Sequence, residues 1–152
     1  MSSVNTLEEV KYSFDTMSLQ GIACGGNETK ENVVLCLHGW LDNAASFLPL
    51  MSHFETELAH KRVIAIDWPG HGNSSHRSLD AHYHFIDWVY DLLQLFEVNQ
   101  WQQVDIVAHS MGGMVASAFA AAFPEKVKSL TLLDSIGFIS STAEQTTQQL
   151  RD

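Results

Sequence analysis

A chain of 152 residues, 45% of them hydrophobic, holds enough apolar material for one good core and no stable second domain. A net charge of −10 and a pI near 5.1 leave no basic stripe to neutralise phosphates, which excludes nucleic acid and anionic membrane as partners. The two cysteines, Cys24 and Cys36, are too few for a disulfide framework; Cys36 lies in an apolar run, so both are read as reduced, structural thiols rather than a metal site.

Residues 1–10 are polar and carry Glu8 and Glu9, unlike a signal or transit peptide, and no apolar run reaches bilayer-spanning length. A cytoplasmic protein without membrane attachment is expected. Residues 11–17 alternate in strand fashion and residues 19–24 follow as a second strand, with a tight turn near Ser18. Residues 32–37 are a short continuous apolar run, the pattern of a strand buried on both faces, and they end in His38-Gly39-Trp40-Leu41-Asp42-Asn43. Phe47, Leu50, Met51, Phe54 and Leu58 recur at helical spacing over residues 46–60, before another buried strand at residues 62–66.

That strand runs into Asp67-Trp68-Pro69-Gly70-His71-Gly72-Asn73-Ser74, a segment too rich in turn formers to be anything but loop. Ser78 or Asp80 is placed to cap the next helix, which carries Phe85, Trp88, Val89, Leu92 and Phe96 on one face and reaches about residue 98. From Val104 a β-branched run leads through Ala108 and His109 to Ser110, and the alanine-rich residues 111–123 then form a helix stopped by Pro124. Residues 126–133 are the last strand, ending in Asp134. Strands alternating with helices imply an α/β fold with a mostly parallel sheet and helices on both faces.

The chemistry concentrates at Ser110. A serine hydroxyl is a poor nucleophile until it is exposed and held beside a base. On a sharp strand-to-helix turn its oxygen stands clear of the backbone, provided the residues two before and two after are small; Ala108 and Gly112 meet that need. The helix that starts at Met111 then aims free N–H groups at a developing oxyanion. The plain alternative is an ordinary strand-helix junction capped by a serine.

His38-Gly39-Trp40, Asp67-x-Pro-Gly-His-Gly-x-Ser and His109-Ser110-Met111-Gly112-Gly113 stand in register at the ends of three consecutive strands. Together they resemble the α/β-hydrolase superfamily, and residues 35–47 look closest to the group called serine hydrolase-like proteins. The likeness spans about residues 10–140. It implies an α/β-hydrolase sheet truncated after about the sixth strand, with residues 1–139 as the amino-terminal part of the core and residues 140–152 as the start of an incomplete lid or cap. By the same likeness Ser110 is the nucleophile and the backbone N–H groups of Met111 and Trp40 form the oxyanion hole. His38 braces its loop, His71 is structural, and no cofactor is needed.

The family's catalytic histidine follows its eighth strand and its usual acid the seventh, both beyond this chain. Asp134 matches a location where some members keep their acid, and an aspartate there equally suits a loop cap. Ala108 stands where glycine is most usual. His53, His60, His76, His82 and His84 are read as helix-face or loop residues far from the serine. Trp40, Phe47, Trp68 and Phe138 are candidates to line an apolar cleft above Ser110.

The implied activity is hydrolysis of a carboxylic ester or similar small-molecule acyl substrate, and the alternative is a catalytically inert fragment or binding module. A nucleotide-binding sheet is excluded because no phosphate-cradling glycine loop with a lysine is present. The last strand should form an unprotected sheet edge through which the protein self-associates.

Overall fold

The computed structural model describes residues 7–14 and 16–135, and the expected lid segment at residues 140–152, like Phe138, lies outside them. Two strands, β1 (Glu8–Phe14) and β2 (Met17–Gly25), form an antiparallel hairpin whose register pairs Phe14 with Met17. Met17 therefore opens the second strand instead of closing the first. Ser18 is a ladder residue opposite Ser13 and not part of the turn. Next come β3 (Val33–Leu37), helix α1 (Leu48–Glu57), β4 (Arg62–Ile66), helix α2 (Phe85–Asn99), β5 (Val104–His109), helix α3 (Met111–Ala122) and β6 (Val127–Leu133).

The six strands form one sheet in the order β1-β2-β4-β3-β5-β6. Its β4-β3-β5-β6 part is parallel, and the hairpin is added antiparallel at one edge. From β3 the chain steps to β4 on one side, then crosses back over β3 to reach β5. A crevice opens beyond the carboxyl ends of β3 and β5 wherever the winding direction reverses in this way. His38 and Ser110, the residues that follow those two strands, stand at its rim.

Period-two alternation sends the two sides of each central strand into different layers. Val33, Leu35, Leu37, Ile64, Ile66, Val104, Ile106 and Ala108 face α2 and α3, and Phe96 of α2 meets Phe119 of α3 at a ring-centroid distance of 4.9 Å. Val34, Cys36, Val63 and Ala65 face the opposite way, against Phe47 and Met51. Helices thus cover both faces of the central strands, which explains their unbroken apolar runs.

Three boundaries depart from the sequence expectations. The helix expected over residues 46–60 begins as a 3-10 turn, Ala44–Phe47, whose Ala45 N–H is capped by the Asn43 side chain at 2.9 Å. Ser78 and Asp80 do not cap α2. Arg77 is bound to Asp91 of α2 at 2.6 Å, which keeps the preceding segment as loop, and the helix starts only after His84, whose N–H donates to the Asp87 carboxylate at 3.0 Å. Lys126 closes a 3-10 turn, Pro124–Lys126, so the last strand starts at Val127. Among the described residues β6 is an outer strand with one pairing partner, and Leu132 and Leu133 are exposed. No described helix is long and apolar enough to cross a membrane.

Candidate active site

Ser110 joins β5 to α3 at φ 48 and ψ −119, a left-handed backbone that a non-glycine residue adopts only when its surroundings force it. Those surroundings are explicit. Its N–H donates to the Leu133 carbonyl of β6 at 3.1 Å, and its carbonyl accepts from the Gly113 N–H, the Met114 N–H and the Ser135 hydroxyl. On the other flank Gly112 packs against β3: a Cβ there would come within 2.5 Å of the Leu37 carbonyl and 2.6 Å of the His38 carbonyl. Ala108, opposite Leu37 in the ladder, is fully buried, so its extra methyl is accommodated.

Met111 begins α3, and first-turn N–H groups have no partner within their own helix. The loop after β3 comes directly against this turn. A Cβ on Gly39 would lie 3.2 Å from the Ser110 Cβ and 3.1 Å from His109 Nδ1, so a side chain there would press those two residues aside by a few tenths of an ångström, and glycine lets the backbone leading to Trp40 approach without that shift.

Three side chains hold that loop. His38 is buried, with Nε2 accepting the Trp68 N–H at 3.0 Å and Nδ1 donating to the Gly39 carbonyl at 2.7 Å. A carbonyl only accepts and an amide N–H only donates, so His38 is neutral with its proton on Nδ1, and burial holds its pKa below the ordinary histidine value. Asp67 receives the Ala44 N–H at 2.7 Å and the Asn73 N–H at 2.8 Å, one from each loop. A side chain on Gly72, at φ 49, would run into that carboxylate. Ser74 donates to the Asp67 carbonyl at 2.6 Å and accepts the Gln20 N–H, tying the loop to β2. Asp67 thus fastens one loop to the next, and Ser74 fixes its own loop to β2. His71 accepts the Leu41 N–H at 3.2 Å.

The other expected residues separate. Asp134 follows β6 at φ 48 and is exposed, and its carboxylate makes no hydrogen bond among the described residues. Trp40 is 54% exposed, edge-on to Trp88 and His71. Trp68 lies in no cleft; it is fully buried, its indole N–H donating to the His38 carbonyl at 3.0 Å. An apolar cleft of about 500 Å³ does open beside the elbow, lined by Phe47, Pro49, Leu50, His53, His109 and Leu133. His53, expected far from the serine, lines this cleft together with His109. No histidine ring is hydrogen-bonded to the Ser110 hydroxyl among the described residues. Ser135 and Asp67 carry geometry that local sequence pattern did not assign. Asp67 was legible only as a motif letter, and nothing near Ser135 signals its bond to a residue 25 positions earlier.

The model of the alpha/beta hydrolase fold family matches residues 32–151. The chain belongs to the α/β-hydrolase fold family. Among relatives of this hydrolase-fold chain, a serine hydrolase-like protein of Danio rerio is 46% identical over 106 residues, 70% of this chain and 32% of that protein. A solved hypothetical protein of Pseudomonas aeruginosa PAO1 superposes with a TM-score of 0.76 at 35% identity, covering 95% of this chain and 49% of its own. A thioesterase domain from the curacin biosynthetic pathway superposes at 0.74 and 30% identity, over 97% of this chain and 53% of that one. The α/β-hydrolase chain described here thus spans about a third of the curated relative and about half of the solved neighbours.

Proposed function

We propose that this α/β-hydrolase chain belongs to a serine hydrolase that cleaves a carboxylic ester or similar small acyl substrate through Ser110. The observation that carries the reading is the conformation of Ser110, a left-handed serine between a strand and a helix, braced from both sides. Such strain persists where the exposed hydroxyl is what the turn is for. The names of the serine hydrolase-like and thioesterase relatives lend it support.

In this reading the Ser110 oxygen bonds to the acyl carbon and passes its proton to an imidazole base. The carbonyl oxygen becomes an oxyanion held by the N–H groups of Met111 and Trp40, the alcohol leaves with the proton, and water releases the acid by the same steps. Asp134 is the acid that this chain would offer to orient the base. The base itself is taken to lie in the part of the relatives' length that this chain does not span. We also expect a cytoplasmic location, supported by two cysteines held as buried core residues.

The test is p-nitrophenyl acetate hydrolysis by this chain and its Ser110→Ala variant, beside the same pair extended through any downstream reading frame. Turnover by the longer form alone, lost on Ser110→Ala, supports the reading. Ser110-dependent turnover by the short form moves the base to a histidine of these residues, His53 or His109 first. No Ser110-dependent turnover in either form favours the binding-module alternative.

A further inference from the structure

Directly after Trp40, Leu41 has a left-handed backbone, φ 56, and a side chain 82% exposed. Burial gives this residue no reason to be there, so something else must hold its backbone. That something is His71. Its Nε2 lies 3.2 Å from the Leu41 nitrogen and its Nδ1 3.3 Å from the Pro69 carbonyl. Since the amide can only donate and the carbonyl can only accept, the ring is neutral with its proton on Nδ1, the tautomer that His38 also takes. Rings of His38, Trp40 and Trp88 surround it at centroid distances of 5.2, 6.3 and 6.3 Å, which fixes the plane in which Nε2 points.

We propose that His71 is a positioning residue for the oxyanion hole: by accepting the Leu41 N–H through Nε2 it holds the left-handed turn that presents the neighbouring Trp40 N–H to Ser110. This rests on the proposed role of the Trp40 N–H. Gly39 gives the loop its close approach, and His38 anchors its base through Trp68. His71 grips it directly after Trp40, reaching across from the loop after β4, while Asp67 holds its far end through the Ala44 N–H. A ring present only for packing would be replaceable by phenylalanine, whereas the grip needs an acceptor at the Nε2 position. Glutamine supplies one, because its Oε1 reaches about as far as Nε2.

The experiment compares wild type, His71→Phe and His71→Gln, each on the chain extended through any downstream reading frame and each checked for an unchanged melting transition. Amide hydrogen exchange at Leu41 is expected to quicken about tenfold in His71→Phe and to return towards wild type in His71→Gln, the size of one net hydrogen bond. Labelling of Ser110 by a fluorophosphonate should slow by a similar factor in His71→Phe and recover in His71→Gln. In the wild type, ¹⁵N NMR should show a neutral His71 with Nε2 unprotonated; a protonated Nε2 overturns the proposal before any variant is made. Equal Leu41 exchange in wild type and His71→Phe overturns it as well, as does faster exchange with undiminished labelling. If wild type is not labelled at Ser110, the hydrolase reading fails on its own, and the exchange rates and ring tautomer still decide whether His71 grips the loop.

Discussion

At the scale of single residues, the elbow trades stability for exposure. Replacing Ser110 by glycine removes the penalty of a left-handed side chain at the expense of some chain entropy, and the net is a gain of about 1 kcal/mol. Urea denaturation should show Ser110→Gly more stable than wild type although it has lost its hydroxyl; a less stable variant would mean the turn is not strained. Gly112→Ala should act in the other direction, because its Cβ would meet the Leu37 and His38 carbonyls, which are backbone and cannot swing away. The expected loss is about 1–3 kcal/mol by the same measurement. Asp67→Ala strips the acceptor from the Ala44 and Asn73 N–H groups, and the loss of two bonds to a charged group should cost about 3 kcal/mol. Of these residues, Ser110 and Gly112 were legible because a serine on a tight strand-to-helix turn constrains its immediate neighbours in sequence. Asp67 was not, because its partners lie in two different loops.

At the scale of elements, the segment between β4 and α2 is fastened by the Arg77–Asp91 pair, whose Asp91 side chain is 3% exposed. Burial pushes the Asp91 carboxyl up to about 6 despite the guanidinium beside it. A folded-state pKa above the unfolded value means the folded chain holds the proton more tightly. The stability from this group is therefore fully present below about pH 4 and is lost as pH rises through about 6. Melting temperature measured across that window should carry this downward slope in wild type and lose it in Asp91→Asn. Strands β3, β4 and β5 were readable to within a residue or two because they are buried on both faces, whereas β1 spans Glu8–Phe14 instead of the expected residues 11–17. The helix starts were not, since His84 rather than Ser78 opens α2 once Arg77 has been drawn to Asp91. For β6, an outer strand of the described residues with Leu132 and Leu133 exposed, we expect pairing with a second copy. Light scattering should then show mass rising with concentration and a smaller rise for Thr131→Lys; a sharp monomer peak at high concentration would refute it.

At the scale of the whole molecule, the sequence carried the α/β architecture, because three motifs fall at three strand ends in order. What it could not carry was which distant segments close on the site: that α1 brings His53 beside the elbow, or that the end of β6 is bonded to Ser110. That last bond has a consequence for how the molecule comes apart. The Ser110 N–H is tied to Leu133, on the strand with the least burial of the parallel set, so Ser110 belongs in part to the weakest cooperative unit of the sheet. Fraying from β6 inward releases the elbow before β3, β4 and β5 separate. Chemical competence would then be surrendered under mild denaturant by a chain that spectroscopy still reports as folded.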